Sequence, residues 1–383
     1  MENHFKIIQI IGVLFFIHSF LNGQITLTTV TDPQLSGVRP SNITSGVNGE
    51  TLILKDKKIY TYTNQVDAVY TCAICGDIQD VAFVRDTMYI ANGQKGIVKR
   101  FGDSTLQVNS LRTTRIVSDE AGNLYAIKYL DGIVVWKNFQ WTQLTTSNSS
   151  IPTNDIYDLA VDNSGVLWMA SQIGLVSWDG TTFSTKSVPN DLSAAFYDIE
   201  IDSSGTIWVA SASGGVGKYN GTQWTTFPAT FIELERVENL AVLNGNEIWT
   251  SEGGYGLYRY SGSTFELIPF ADLGVSTWEN NSVLFGDSQN RLWIANDFTE
   301  LKYLTLNPSA VHDVKREIKT IKTYPNPATG EVYLDLDSAP LKGELSVKIY
   351  NSNATLMGSQ TIFADGIPNI SLSNLAVGIY EVV

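Results

Sequence analysis

Histidine is nearly missing from this chain. Of the 3 present in 383 residues, His4 and His18 lie near the start and His312 lies far toward the end, so the long stretch between them holds none. That excludes Ser-His-Asp nucleophilic catalysis, histidine-ligated zinc or iron, and a histidine general acid or base from that stretch. Basic residues are also in short supply, 25 Lys and Arg against 39 Asp and Glu for a net charge of -14. Binding to a phosphate backbone rests on clustered cations, so nucleic acid is not an expected partner. Long apolar runs are confined to one place. Ile7 to Leu21 is interrupted by Gln9, His18 and Ser19, and is shorter than the roughly 18 clean apolar residues that a membrane span needs. With Lys6 before it and Asn22-Gly23 after it, this run reads as a secretory signal over residues 1–23. No later stretch comes close, so no membrane span is expected once the signal is removed, and no cysteine follows the run to take a lipid.

What is abundant is aromatic side chain and glycine. The chain has 9 Trp, 17 Tyr, 16 Phe and 31 Gly, a mixture that suits short strands joined by tight turns and points to an all-β fold. The stretch Ile156 to Val188 shows the unit. IYDLAVD, VLWMAS, LVSWD and TFSTKSV read as four strands, separated by reversals at Asn163-Ser164-Gly165, at Gly174 and at Asp179-Gly180. The last of these is expected to be a two-residue type I′ turn, because Asp-Gly tolerates positive φ at both central positions. Sliding this unit along the chain places Leu52, Tyr89, Tyr125, Trp168, Trp208, Trp249 and Trp293 at one equivalent point, spaced 36 to 44 residues apart. A second aromatic follows at +10 (Tyr62, Trp178, Tyr303) or +11 (Tyr219, Tyr260). A four-stranded unit repeating at that period, seven times, is a seven-bladed β-propeller over residues 24–310.

The same residues predict how the blades pack. VLWMA and TIWVA are almost continuously apolar, as expected of strands covered on both faces. Ala170, Ala210 and Ala295 each follow a marker tryptophan by two residues, setting a small side chain beside a large one so that neighbouring sheets interlock. The seventh repeat lacks a convincing fourth strand, whereas Ile25 to Val30 is a strand without a blade. The expectation is that residues 25–30 complete blade 7 and close the ring.

The form D-x-x-G-x-[LI]-W-x-A, at Asp162 to Ala170 and Asp202 to Ala210, resembles the propeller repeat of bacterial two-component regulators and of the streptogramin lyase group. The resemblance implies the fold. The lyases of that group are expected to use a histidine that this propeller lacks, so their activity is not implied. After a charged linker at 311–322 come Tyr324-Pro325-Asn326-Pro327, Gly330, a strand at 331–337, SVKIYNSNATLMGSQ, and a GIY element at Gly378 to Tyr380. This resembles the C-terminal sorting domain of the type IX secretion system of Bacteroidetes, which implies a small β-sandwich over 323–383, recognition by that secretion machinery, and a secreted or cell-surface address. The family normally runs one strand further, so the domain is expected to be incomplete here.

Cys72 and Cys75 stand three apart. In an extended strand their Cα atoms would be about 10 Å apart, beyond the roughly 7 Å that a disulfide spans, so a bridge requires a turn. Gly76 follows and the pair falls between blades 1 and 2, where a loop is expected. A redox CxxC motif would open a helix, and nothing here reads as helical, so a structural disulfide is the favoured reading. Asp162-Asn163-Ser164-Gly165 and Asp202-Ser203-Ser204-Gly205 lack the longer acidic loop and distal Glu of a calcium site. They are read as side-chain-capped turns, with no metal or cofactor expected. What remains is a surface. The loops joining strands two and three of a blade, and one blade to the next, gather on one face around the central channel. They carry Lys95, Tyr129, Asp131, Gln172, Glu252, Tyr255, Asp297 and Phe298, with Tyr157 and Tyr197 near the starts of innermost strands. Tyrosines among carboxylates and amides suit the binding of glycan or protein. The expected function is a secreted binding or adhesion module. The alternative is a glycan-active enzyme, a hydrolase or lyase, working through paired carboxylates.

Overall fold

Four strands with two apolar faces can bury both faces only against further copies of themselves. The computed structural model shows that arrangement. It describes residues 8–13, 25–35, 40–192, 195–212, 215–227, 237, 239–252, 256–260, 262, 264–273, 281–296, 301–306, 322–324, 331–335, 344–351, 356–363, 369–371 and 378–382. The chain divides into two compact units, Gly23–Asn307 on one hand and Met1–Asn22 with Pro308–Val383 on the other.

The first unit is a ring of seven four-stranded antiparallel sheets. Blade 4 consists of Ile156–Val161, Leu167–Ser171, Gly174–Trp178 and Phe183–Thr185, innermost strand first. Its second and third strands are buried along their whole length. Seven apolar clusters fill the seven seams. In the seam between blades 4 and 5, for example, Trp168, Ala170 and Leu175 meet Phe196, Ile199 and Val209. The marker tryptophans Trp208, Trp249 and Trp293 are at most 1 % exposed, and burying a side chain of that kind stabilises the fold by roughly 1.5–3 kcal/mol or more.

The D-x-x-G turns do more than reverse the chain. Asp162 accepts N–H bonds from Ser164 and Val166 through one oxygen and the indole N–H of Trp168 through the other, at 2.8 Å. Asp202 holds Trp208 in the same way at 2.9 Å, and Asp287 holds Trp293 at 2.6 Å. In blade 3 the hydroxyl of Tyr125 donates to Asp119 at 2.9 Å. The fourth turn position needs a left-handed backbone, which Gly165 and Gly205 supply at φ 79° and 80° and Asn290 at φ 60°. Blade 6 has Leu243 where the aspartate would stand, and the indole N–H of Trp249 has no partner among the described residues.

One turn differs from expectation. Trp178 pairs with Phe183, so the reversal at Asp179-Gly180 spans four residues. The Asp179 carboxylate caps it, accepting from the N–H groups of Thr181 and Thr182 and from the Thr181 hydroxyl. Those bonds hold its pKa down at about 2. The two-residue type I′ turn lies instead in blade 3, where Lys137 pairs with Gln140 and both Asn138 and Phe139 have positive φ. Between blades 1 and 2, Cys72 and Cys75 are bonded across the turn at Ala73-Ile74, with Cα atoms 5.3 Å apart.

The ring closes as the unpaired strand suggested. Ile25–Thr29 pairs antiparallel with Leu301–Leu306 and becomes the outer strand of blade 7. A buried polar network reinforces the seam with blade 1. Asp287 accepts from Arg291 Nε at 2.6 Å and from the Thr51 hydroxyl of blade 1 at 2.9 Å, and the Arg291 guanidinium donates to the Thr63 carbonyl of blade 1. The second unit holds two sheets. One is ordered Ile8–Val13, Gly378–Val382, Glu344–Asn351, Leu356–Phe363, and the other Lys322–Tyr324, Glu331–Asp335, Asn369–Ser371. Ile8–Val13, inside the apolar run read as a signal, lies parallel to Gly378–Val382.

Removing one partner of a buried ion pair leaves the other charge uncompensated. Asp287→Ala is therefore expected to destabilise the propeller by about 3–5 kcal/mol. Asp162→Ala, at a more exposed copy of the same turn, is expected to cost only about 1–2 kcal/mol. Urea unfolding of both variants checks this, and equal losses would show that the ring seam is not special.

Candidate binding site at the channel mouth

The innermost strands run side by side around the channel, and a shared irregularity shapes them. In blade 4 the register shifts between Ile156 and Asp158, and in blade 5 between Phe196 and Asp198. The extra residues in these bulges are Tyr157 and Tyr197. A bulge leaves its extra residue out of the ladder and re-aims its side chain. The two rings meet edge to face, 5.3 Å between centroids at 72°. Burial, and then the nearby Asp155, raise the Tyr157 pKa.

Directly after each tyrosine comes an aspartate that ties its blade to the next. Asp158 accepts from the Ile199 N–H of blade 5 at 3.4 Å, and Asp198 from the Leu240 N–H of blade 6 at 2.5 Å. Asp80 of blade 2 accepts from the Ile116 N–H of blade 3 at 3.0 Å and from the side-chain amide of Asn42 in blade 1 at 3.0 Å. The matching residue of blade 3 is Arg115, whose Nε lies 3.2 Å from Asp158. One step further along blade 5 stands Glu200, opposite Trp208. At that position blades 2, 4 and 6 have Ala82, Ala160 and Ala241. Four carboxylates thus face a single guanidinium.

The electrostatics follow from that count. Burial pushes Asp80 up to about 6 against the pull of Arg115. Burial, and a hydrogen bond shared with Asp158, hold Asp198 well above the ordinary carboxylate range. Glu200, part-exposed to the channel but walled by protein, is pushed up to about 8 by burial and then by Asp158, with Arg115 opposing. Asp158 in turn keeps the Arg115 guanidinium charged.

Of the residues read from sequence, Tyr157 and Tyr197 are brought together over this ring. Gln172 is exposed in the next loop outward, its N–H bonded to the Asp155 carbonyl at 3.0 Å. Tyr129, Asp131 and Lys95 lie in loops and have partners of their own. Tyr129 is 46 % exposed and stacks with Arg112 at 3.9 Å. Asp131 is held by Lys128 and by Gln143 at 3.1 Å, which lowers its pKa, Lys128 contributing most. Lys95 is exposed and reaches the Ile74 carbonyl at 3.4 Å. Glu252 ends the second strand of blade 6, while Tyr255, Asp297 and Phe298 lie outside the described residues. In the second unit Tyr324, Gly378 and Tyr380 fall in strands, and Pro325, Asn326 and Pro327 lie outside the described residues. Sequence reasoning missed Asp80, Arg115, Asp158, Asp198 and Glu200. The repeated Tyr-Asp at 157–158 and 197–198, inside otherwise apolar strands, was the available signal.

The ionisation of this ring predicts a pH dependence. Glu200 holds its proton more tightly folded, at about 8, than at its ordinary 4.5. Its stabilising contribution is therefore complete below the ordinary value and lost as pH rises through the folded one. Asp80 acts in the same sense between 3.8 and about 6. The melting temperature is expected to fall by a few degrees between about pH 5 and about pH 9. Glu200→Gln should flatten the alkaline part of that fall. A wild-type melt that holds constant or rises over this range would contradict the assignment.

Several solved structures share this architecture. The extracellular domain named for a hybrid two component system, BT3049, from B. thetaiotaomicron is 14% identical with a TM-score of 0.59, over 91% of this chain and 50% of that one. PorZ, described as a surface component of the type-IX secretion system of Porphyromonas gingivalis, is 14% identical at 0.57, over 88% and 55%. A catalytically inactive histidine-to-alanine variant of virginiamycin B lyase from Staphylococcus aureus, with quinupristin, is 14% identical at 0.60, over 74% and 100%. This chain therefore spans about half the length of the first two, and at these identities the likeness shows the fold alone. No curated protein is similar to the chain in sequence. Residues 322–383 match the family described as "Secretion system C-terminal sorting domain". The chain is a seven-bladed β-propeller carrying a type IX sorting domain, and it is a secreted or cell-surface protein.

Proposed function

We propose that the propeller is a binding or adhesion module, delivered by its sorting domain, that takes a glycan or protein ligand at the channel mouth. The observation that carries this reading is the Tyr157–Tyr197 pair, two rings in contact on neighbouring innermost strands, each followed in sequence by an aspartate, Asp158 and Asp198, with Glu200 further along blade 5. Aromatic faces beside a few convergent polar groups are the usual make-up of a binding site. Loss of one histidine inactivates the virginiamycin B lyase, and residues 19–311 of this chain contain no histidine. That favours binding over a lyase reaction of the same kind.

A second reading is favoured by Glu200 alone. A carboxyl with its pKa raised to about 8 suits a general acid, and Asp158 is a second carboxyl beside it. Under that reading the protein releases products from a polysaccharide, and Glu200→Gln abolishes the release.

Tyr157→Ala and Tyr197→Ala are expected to weaken ligand capture on glycan and protein arrays at least tenfold, without product release and without loss of fold. Capture unchanged in both variants would remove the channel mouth from consideration. Delivery is tested separately. In a host with the type IX system, deleting residues 322–383 should leave the folded propeller in the periplasm. Equal export of the full and shortened chains would refute a sorting role.

A further inference from the structure

The outer hairpin of blade 3 places a large apolar residue at positive φ where the matching hairpins of blades 2, 4 and 5 have smaller polar residues. Its two-residue turn is Asn138-Phe139, with φ 52° and 64°. Turns of this type favour Asn-Gly, because a Cβ at positive φ crowds the backbone. The corresponding reversals of blades 2, 4, 5 and 6 each contain a glycine at positive φ, namely Gly102, Gly180, Gly221 and Gly262. By strand register those glycines match Asn138, while the place of Phe139 is taken by Asp103, Thr181 and Thr222 in blades 2, 4 and 5, none of them at positive φ.

Packing does not account for that choice. Phe139 is 93 % exposed, the most exposed of the large apolar side chains among the described residues. Its ring stands edge to face on Trp136 at 6.4 Å, and Trp136 in turn leans on Trp141 at 5.2 Å. The two indoles are half-buried against the core between blades 2 and 3, so they form a fixed base beneath a ring that projects into solvent. Lys137, Asn138 and Gln140, all exposed, surround it. A strained backbone that holds an exposed ring in a set place points to a ligand for that ring.

We propose that the Asn138-Phe139 turn is a second binding site, on the outer rim of blade 3, that stacks a sugar ring on Phe139. The chemistry favours a glycan over a protein. A stable protein contact buries about 800 Å² on each partner, whereas here one aromatic face stands alone among polar groups. A pyranose matches those features. Its C–H face lies on one aromatic ring, and its hydroxyls meet the donors and acceptors of side-chain amides such as Asn138 and Gln140. The site lies on an outer hairpin, away from the Tyr157–Tyr197 mouth, and does not depend on that reading.

The test uses the full chain, with affinity electrophoresis in gels containing xylan, mannan or laminarin and pull-down on insoluble cellulose and chitin. Phe139→Gly restores an Asn-Gly turn, so it should melt at or above the wild-type temperature while its affinity for the retaining polysaccharide falls at least tenfold. Phe139→Tyr should keep the affinity. So should Leu106→Ser, which removes another exposed apolar side chain one blade away. The proposal is overturned if none of the five polysaccharides retains the wild-type chain, or if Phe139→Gly is retained equally well. It is overturned in favour of a protein partner if Phe139→Gly loses capture on a protein array with polysaccharide retention unchanged.

Discussion

A sheet of four strands with two apolar faces is stable only when both faces are covered, and every blade here obtains that cover from its neighbours. The requirement is circular, because blade 7 must cover blade 1. If the seam between them opens, two sheet faces and the Ile25–Thr29 pairing are exposed at once. It is therefore reasonable that this seam carries the most buried charged network described. Asp287 and Arg291 span it with their side chains 1 % and 5 % exposed, bonded to each other and to Thr51 and Thr63 of blade 1. In blades 3, 4 and 5 the matching aspartate only caps its own turn and holds its own aromatic ring. Evolution of a repeat into a closure device needs one added residue, and Arg291 supplies it where Val166 and Thr206 stand in blades 4 and 5.

The same circular geometry explains the channel. Side chains on innermost strands converge on the axis, so a polar residue repeated in several blades meets its own copies. Asp80, Asp158 and Asp198 each satisfy a backbone N–H of the following blade, which makes them structural in origin. Once they are there, burial and then the neighbouring carboxyl groups raise the affinity of Asp80 and Asp198 for protons. Arg115, replacing an acid in blade 3, relieves part of that repulsion. Glu200 does not fit this account. It caps no N–H among the described bonds and stands where three other blades have alanine, so it adds an ionisable group without an evident structural return.

The sequence made legible those features that repeat in the chain. Seven markers, six of them aromatic, an apolar second strand and an unpaired strand at residues 25–30 predicted blade number, register and closure, because packing between like units imposes like residues at the same spacing. Turn chemistry was less legible. Asp179-Gly180 has the residues of a two-residue turn, yet the Asp179 side chain reaches two backbone N–H groups and draws in two further residues. Asn138-Phe139 adopts the two-residue turn without the glycine that would announce it. The acidic ring was the least legible. Its members are separated by about one repeat each, and only the curvature of the closed ring brings them together.

Those failures of local prediction fall at the channel and at the outer turns of blades 3 and 4, and this distribution has a physical meaning. Residues serving the ring follow from rules that apply to every blade, so they can be read from one blade and transferred. Glu200 stands where blades 2, 4 and 6 have alanine, and Phe139 stands at positive φ where blades 2, 4 and 5 have Asp103, Thr181 and Thr222. A chain that keeps an ionisable group in a crowded channel and a bulky ring at positive φ gives up stability at both points. A propeller tolerates this because its stability is spread over seven separate seams. Each blade borders two seams, so the cost at one blade leaves five untouched, and single blades are therefore free to specialise for ligands.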